Sequence, residues 1–185
     1  IYYKLDGDAP KHMRAAFDLD NGYRLGFINQ RLLGKVGVVD DPAAFAEREG
    51  LGPDALDDRL DAARFRRILA NRRGAIKAQL MNQNRIAGIG NIYADEILFQ
   101  ARIHPAASPA ALSEQDYRRL HRTMRRVLRT CARKQVQVAR FPKSYLLPHR
   151  MGDKTCPACS GDLEKTTISG RTTWLCPNCQ KKKRS

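Results

Sequence analysis

The spacing of hydrophobic and polar residues changes once along the chain, from short alternating runs to a helical period. Up to about residue 40, β-prone runs are separated by turn residues, and Asp20-Asn21-Gly22 is typical of a tight hairpin turn. The pattern predicts strands at residues 2–5, 15–19, 23–28 and 35–39. Because about forty residues of strand cannot bury a sandwich core alone, we expect them to be one edge of a β-domain whose remainder lies upstream.

Helical periodicity begins near Asp54, which is predicted to be an N-cap, after a connecting segment that starts at Asp40-Asp41-Pro42. Helices are predicted at residues 55–71, 74–82, 91–101 and 113–133. Residues 141–151 contain two prolines and are interpreted as a linker. The last long helix should bury one apolar face, with its arginines largely in solvent. That face consists of Tyr117, Leu120, Met124, Val127, Leu128 and Cys131.

The chain carries a large positive charge. Its 34 lysines and arginines exceed its 19 acidic residues and leave a formal net charge of +15 over 185 residues. This excess favours a polyanionic partner such as nucleic acid. A membrane partner is not expected, because no window is long and apolar enough to span a bilayer and no basic stretch has a large exposed apolar face.

Four of the five cysteines form two Cys-x-x-Cys pairs near the C-terminus: Cys156, Cys159, Cys176 and Cys179. This spacing predicts one structural Zn²⁺ in a closed tetrahedral site. The surrounding segment is short and polar, so metal binding has to supply its folding free energy. Between the pairs, residues 163–167 and 172–175 predict a hairpin that turns at Ser169-Gly170 and holds Arg171 at its tip. The remaining cysteine, Cys131, is predicted to be a buried, inert thiol.

A glycine-containing turn joins two predicted helices within residues 83–94, and Gly90 leads directly into a helix N-terminus at Asn91. Backbone N–H groups at such a turn can bind an anion. On its own the pattern fits a plain helix connector equally well. The nearby Arg72, Arg73 and Lys77 favour phosphate binding.

Together these motifs resemble the formamidopyrimidine-DNA glycosylase and endonuclease VIII family. The resemblance rests on Lys77, residues 81–83, 87–96 and 103–105, and the four-cysteine segment that follows, and it covers nearly the whole chain. It implies an α+β multidomain fold. Residues 1–41 would be the C-terminal part of an N-terminal β-sandwich, 42–54 a linker, 55–145 a mainly α helix-two-turn-helix DNA-binding domain, and 150–185 a zinc-finger β-hairpin.

The resemblance also implies which side chains act on DNA. Asn91 would bind a phosphate beside the lesion, and Arg171 would bind phosphate and assist the late elimination step. Arg31 would fill the space left by a flipped nucleotide, and Leu33 would act as an apolar wedge. Further expected DNA contacts are His12, Arg72 and Lys77.

Three departures from the family pattern affect these expectations. The inserted loop of the family usually reads Asp-Pro-Arg-Arg-Phe-Gly, whereas here residues 29–34 read Asn-Gln-Arg-Leu-Leu-Gly, so Leu32 and Leu33 replace an arginine and an aromatic wedge. Residues 135–156 are shorter than in members with a loop that caps an oxidised purine, so a preference for 8-oxoguanine is not implied. The family's nucleophile is an N-terminal proline, assisted by an adjacent glutamate and a lysine of the β-sandwich. The sequence begins at Ile1 and includes none of them, so the chain by itself is expected to be inactive in the covalent step.

The sequence therefore predicts the DNA-binding portion of a base-excision-repair DNA glycosylase/AP lyase. The parent enzyme would flip and excise damaged, oxidised bases and nick the abasic strand by elimination. We expect a monomer that acts on double-stranded DNA containing damaged bases or abasic sites, in the bacterial cytoplasm at the nucleoid. Two other functions stay open: a non-catalytic module that binds damaged DNA, and a zinc-ribbon RNA-binding protein.

Overall fold

The computed structural model describes residues 2–6, 8–32, 34–135 and 137–182. The chain divides into two compact units, Ile1–Phe45 and Ala46–Ser185. The first unit is built from strands. The second contains helices and a C-terminal hairpin, so the predicted α+β class is confirmed.

The first unit contains a three-stranded antiparallel sheet of order β1-β3-β2, formed by β1 (Tyr2–Lys4), β2 (Met13–Asp18) and β3 (Tyr23–Ile28). The turn between β2 and β3 lies where it is predicted, with Gly22 at φ 78°. Phe17 and Leu25 pair across the sheet and stay about half exposed, at 47% and 46%. The described sheet therefore carries large apolar side chains that are accessible to solvent.

The strand predicted at residues 35–39 is wrong, because this segment has no regular secondary structure. Its valines are exposed, and Val38 is 97% accessible. A run of β-branched residues becomes a strand only when a neighbouring strand offers backbone hydrogen bonds. The described part of the first unit offers none to this segment.

The first helices differ from those that the sequence predicts. Helix α1 (Pro42–Arg48) lies within the predicted connecting segment, and α2 covers only Ala62–Leu69. Asp54 does not cap a helix, because its carboxylate accepts the N–H of Leu56 at 2.7 Å in a local turn. Asp57 does the same with Arg59 at 2.9 Å. The true N-cap of α2 is Asp61, which accepts the N–H of Arg64 at 2.7 Å.

The remaining helices are α3 (Ile76–Leu80), α4 (Asn91–Gln100), α5 (Glu114–Arg133) and α6 (Leu146–Met151). Helix α5 begins with a capping box between Ser113 and Asp116. Helix α6 forms inside the segment predicted to be a linker. In the described part of the chain, no helix combines the length and apolarity needed to cross a bilayer.

The core of the second unit forms where α5 packs against α2 and α4. The predicted apolar face of α5 is confirmed, since all six of its members are buried. Tyr117 donates its hydroxyl to the carbonyl of Pro109 at 2.8 Å, which satisfies its one buried polar group. Cys131 is 2% exposed, and burial raises its pKa to about 11, as expected for an inert thiol.

The C-terminal hairpin consists of β4 (Glu164–Ile168) and β5 (Arg171–Leu175). Its turn residues Ser169 and Gly170 have φ values of 49° and 73°, which is the backbone of a tight hairpin turn. The hairpin packs against α4 through a small apolar cluster. The buried members of this cluster are Phe99, Leu146, Cys156, Leu163 and Cys176.

Candidate nucleic-acid interface

The four cysteines of the C-terminal segment converge on one point. Their Sγ atoms all lie within 4.8 Å of one another. Between the two Cys-x-x-Cys pairs, Cys156 Sγ is 3.8 Å from Cys179 Sγ, and Cys159 Sγ is 3.5 Å from Cys176 Sγ. A tetrahedral Zn²⁺ with Zn–S bonds of about 2.3 Å requires sulfur–sulfur distances of about 3.8 Å. The donor set therefore fits a metal ion of this kind.

Gln180 connects the second Cys-x-x-Cys pair to the helical part of the second unit by hydrogen bonds. Its side-chain oxygen accepts the N–H of Cys176 at 2.9 Å, and its amide nitrogen donates to the carbonyl of Ile103 at 2.9 Å. The side chain is fully buried. The position of the Cys176–Cys179 pair is thus fixed relative to the segment that follows α4.

Arg171 is the first residue of β5 and is exposed at the hairpin turn. It pairs with Ile168 across the turn, so two extended strands hold its backbone in place. A cavity of about 230 Å³ lies beside it, lined by the hairpin turn and by residues at the end of α3, among them Met81 and Asn82. The guanidinium is therefore presented to solvent next to a concave surface.

The side chain of Gln83 stabilises the turn before α4 by hydrogen bonds to its backbone. Its side-chain oxygen accepts the N–H of Gly88 at 3.0 Å, while its nitrogen donates to the carbonyl of Ile89 at 3.0 Å. Gly88 has φ 93°, a backbone conformation that residues with a Cβ atom rarely adopt. Gly90 caps α4 without a side-chain hydrogen bond, so the first N–H groups of α4 can serve an anion. Sequence reasoning gave Gln83 no role, although its place within the turn is a usable signal.

Asn91 joins the start of α4 to the hairpin. Its Nδ2 donates to the carbonyl of Thr172 at 3.0 Å, one residue after Arg171. The structure therefore brings together two of the predicted DNA contacts, one from each motif. The link runs from the side chain of Asn91 to the backbone carbonyl of the residue that follows Arg171.

Lys77 also contacts the hairpin at Thr172, but its side chain is buried rather than exposed to DNA as the sequence predicts. Its side chain is 1% exposed, and its Nζ lies 2.8 Å from Asp95 Oδ1. It also donates to the carbonyl of Thr172 at 2.9 Å and to Oγ1 of Thr173 at 2.7 Å. The ammonium is thus surrounded by protein acceptors, whereas a contact with a DNA phosphate would require it to face solvent. The sequence did not reveal the burial because lysine is rarely enclosed.

Asp95 accepts from the hairpin as well as from Lys77. Its Oδ2 accepts the N–H of Trp174 at 3.1 Å, and Arg150 Nη1 lies 3.7 Å away. Burial lowers the pKa of Lys77 and raises the pKa of Asp95, while their mutual attraction opposes both shifts. This buried cluster connects α3, α4, α6 and β5.

Arg72 follows α2 and is exposed, and its Nε donates to the carbonyl of Ile68 at 3.2 Å. Arg85, which sequence reasoning passed over, lies near enough that the charge of Arg72 adds to burial in lowering its pKa. Arg85 donates to Oε1 of Gln79. In the described residues neither arginine forms an ion pair with a carboxylate, so the two charges are available to an anion.

The remaining predicted contacts lie in the first unit. Asn29 donates its N–H to the carbonyl of His12 at 3.1 Å, so the His12 segment and the loop after β3 are neighbours. His12 and Arg31 are both exposed. Leu33 lies outside the described residues. Its neighbour Leu32 is 68% exposed and has φ 55°.

Two sequence families match the second unit. Residues 51–141 match the formamidopyrimidine-DNA glycosylase H2TH domain, and residues 153–182 match the zinc finger found in FPG and IleRS. Two curated relatives are named formamidopyrimidine-DNA glycosylase. The one from Chloroflexus aurantiacus is 35% identical and aligns with 92% of this chain and 65% of its own length. The one from Streptococcus pyogenes is 30% identical and aligns with 94% of this chain and 67% of its own length.

A solved structure has the same fold. The complex between Lactococcus lactis Fpg and DNA containing an abasic site has a TM-score of 0.79 at 26% identity, covering 98% of this chain and 70% of that one. This chain thus spans about two thirds of the length of the curated relatives. On these matches, the chain belongs to the formamidopyrimidine-DNA glycosylase and endonuclease VIII family.

Proposed function

We propose that this chain is the DNA-binding part of a bifunctional DNA glycosylase/AP lyase of base-excision repair. The complete protein flips a damaged base out of the duplex, excises it and nicks the abasic strand by elimination. The observation that carries the proposal is the hydrogen bond from Asn91 to Thr172. It joins the open N-terminus of α4 to the strand that begins at Arg171, which supports the binding of the phosphates that flank one lesion by both groups.

Other basic residues add contacts to the DNA. Arg72 and Arg85 bind backbone phosphates, which position the protein without reading sequence. In the first unit, His12 contacts DNA and Arg31 fills the space that the flipped nucleotide leaves. The exposed apolar Leu32 supports a wedge at this loop, with Leu33 as the wedge residue.

Lys77 positions other groups rather than binding DNA. Through Thr172 and Thr173 it fixes the backbone next to Arg171, and through Asp95 it fixes the hairpin to α4. A misplacement of about 1 Å at a catalytic group can cost 10²-fold in rate, so such support matters for the elimination step assigned to Arg171.

The metal is one Zn²⁺ with a structural role. Cys156, Cys159, Cys176 and Cys179 provide four thiolate ligands, which leave no open coordination position for a substrate. The ion supplies folding free energy to a hairpin whose own apolar cluster is small. No chemical step needs to pass through it.

The partner is double-stranded DNA with damaged bases or abasic sites, bound by a monomer. The family's proline amine attacks C1′ of the damaged nucleotide, expels the base and forms a Schiff base. Loss of a C2′ proton then breaks the bond to the 3′ phosphate, which leaves a nick. Bacterial relatives such as those of Chloroflexus and Streptococcus support a nucleoid setting in the bacterial cytoplasm.

Fluorescence anisotropy with this chain tests the binding half of the proposal. A duplex with an abasic-site analogue should bind on the order of tenfold more tightly than the intact duplex, because no base has to be unstacked. Arg31→Ala should remove most of this preference. The control Lys35→Ala, which removes an equal exposed charge nearby, should weaken both duplexes alike and keep the preference.

Borohydride trapping tests the catalytic half. A form of the protein whose processed N-terminus is the proline of the family should be captured covalently on abasic DNA. Absence of trapping together with a retained abasic-site preference would indicate a non-catalytic damage-binding module. Equal affinity for intact and abasic duplexes would contradict the proposal and favour the zinc-ribbon RNA-binding function.

A further inference from the structure

Helix α5 borders a groove that the proposed function does not use. The groove encloses about 750 Å³ and is lined by Leu56, His121 and five arginines of α5. These five are Arg122, Arg125, Arg126, Arg129 and Arg133, and we call the site the arginine groove. It lies on the side of α5 away from the buried apolar face, and Arg122, Arg126, Arg129 and Arg133 are exposed there.

The charge of the arginine groove is mostly uncompensated. Arg125 pairs with Asp58 and donates to the carbonyl of Asp57 at 2.7 Å, while Arg129 lies 3.4 Å from the same Asp58 carboxylate. Arg122, Arg126 and Arg133 have no carboxylate partner among the residues that the structure describes. Among the described residues, one exposed carboxylate, that of Asp58, therefore pairs with two of the five groove arginines.

A plain solvated helix face does not account well for this arrangement. Like charges three or four residues apart on a helix repel one another. The five groove arginines, from Arg122 to Arg133, follow this spacing, yet the only acidic residues of α5 are Glu114 and Asp116 in its first turn. Each of those two pairs with an arginine outside the groove, Arg118 and Arg119. The sequence thus concentrates positive charge along the groove and neutralises it elsewhere.

The dimensions of the groove fit a nucleic-acid strand. From Arg122 to Arg133 the helix rises about 16 Å. One strand of duplex DNA presents a phosphate about every 3.4 Å along its axis, so this length faces several phosphates. Guanidinium groups bind phosphate oxygens in pairs, and the groove supplies them at repeated intervals.

The middle of the arginine groove lies away from Asn91, although Leu56 and Ala132 of the groove also line a cavity of about 220 Å³ together with Gly88 and Tyr93. Arg119 donates to the carbonyl of Ala101 at 2.9 Å, and Arg126 lies 3.5 Å from Gln100 Oε1, both at the C-terminal end of α4. Asn91 is at the other end of α4, about 15 Å along the helix axis. The residues that line the groove are also different from those that line the cavity beside Arg171.

We propose that the arginine groove binds the phosphate backbone of a second segment of double-stranded DNA. The choice of DNA among polyanions rests on the proposed function. Such a contact would keep the protein attached to DNA while the Asn91 site releases one stretch and samples another, because a tethered partner has a high effective concentration.

The test uses short duplexes of about twelve base pairs with one abasic-site analogue, titrated by isothermal calorimetry at low salt. The chain should bind two duplexes, the second more weakly. The triple variant Arg122→Gln/Arg126→Gln/Arg133→Gln should lose the second event and keep the first within about twofold. The salt slope of the second event in the unaltered chain should correspond to two or three phosphates, about 0.9 per contact.

A matched triple variant, Arg64→Gln/Lys143→Gln/Lys165→Gln, removes the same charge from exposed positions outside the groove and should retain both events. Arg171→Gln should weaken the first event only, which separates failure of this inference from failure of the proposed function. If the first triple variant loses helical signal, the single change Arg126→Glu gives the same readout. A single duplex per chain, or a second event that survives both groove variants, overturns the inference.

Discussion

Nζ of Lys77 lies 2.8 Å from Oδ1 of Asp95, with side chains that are 1% and 0% exposed. The pair connects α3 to α4 beneath the hairpin and leaves Arg171, the adjacent exposed cation, as the group that faces solvent. A charge buried this deeply is tolerated only with a partner of opposite charge.

Replacement of Lys77 by methionine should strongly destabilise the second unit. The change leaves the Asp95 carboxylate buried with only the more distant Arg150 beside it, and loss of one partner of a buried pair costs about 3–5 kcal/mol. Urea denaturation followed by helical circular dichroism measures this loss. The double variant Lys77→Met/Asp95→Asn should recover part of it, and the exposed control Lys143→Met should change stability by less than about 0.5 kcal/mol. A Lys77→Met variant as stable as the unaltered chain would contradict the buried pair.

The DNA contacts predict a change in salt dependence. Asn91→Ala and Arg171→Gln should each weaken binding to an abasic duplex. If the guanidinium of Arg171 neutralises one phosphate, its loss should lower the slope of log K against log salt by about 0.9. Asn91 is uncharged, so its replacement should lower affinity with a smaller change in slope. Lys165→Gln on the same hairpin is the control, and an Arg171→Gln slope equal to that of Lys165→Gln would exclude a specific phosphate contact.

Removal of the metal should separate the hairpin from the helices. A chelator, or the change Cys156→Ser, should unfold the four-cysteine segment, because its buried cluster is too small to fold alone. The helical signal should persist, since the core around α5 does not include the cysteine ligands. Measured zinc content, circular dichroism and DNA affinity together report the outcome. Full DNA affinity in the metal-free chain would count against a hairpin that positions Arg171.

His104 predicts a pH dependence of stability. Its Nδ1 accepts the N–H of Ala106 at 3.1 Å, and burial lowers its pKa below the ordinary value of 6.5. The unfolded chain therefore binds a proton more readily than the folded chain, so the unfolding free energy should fall as pH is lowered below about 6.5. His104→Asn retains an acceptor but does not titrate, and its stability should vary less between pH 7 and 5. An identical pH profile for the two proteins would rule out this contribution.

The sequence predicted best where local pattern and tertiary packing agree. The helix predicted at residues 113–133 has an apolar face with a helical period, and the structure has α5 there, with Ser113 as its N-cap. The hairpin turn needs residues that tolerate positive φ, and Ser169-Gly170 supplies them. Family resemblance rather than periodicity identified Asn91 as a site residue, because an asparagine at a helix start has ordinary structural uses.

The failures occur where distant contacts decide the outcome. Asp54 resembles an N-cap, but nearby aspartates accept backbone N–H groups in turns, and the segment instead pairs with Ala87 beside the turn before α4. Residues 35–39 have strand propensity without a neighbouring strand. Lys77 has the composition of a surface cation, and only Asp95, eighteen positions later in the sequence, explains its burial. None of these outcomes can be predicted from a short stretch of neighbouring residues.

The single tryptophan of the chain, Trp174, lies on β5, where its backbone N–H donates to Asp95 and its side chain packs against the apolar cluster that includes Phe99 of α4. Its indole emission therefore arises at the joint between the hairpin and α4, with no other tryptophan to obscure it. Undocking of the hairpin, whether by chelation, oxidation of the thiols or mutation, should register as a spectral shift in unlabelled protein. The same optical signal would follow the joint in real time as DNA is bound and released.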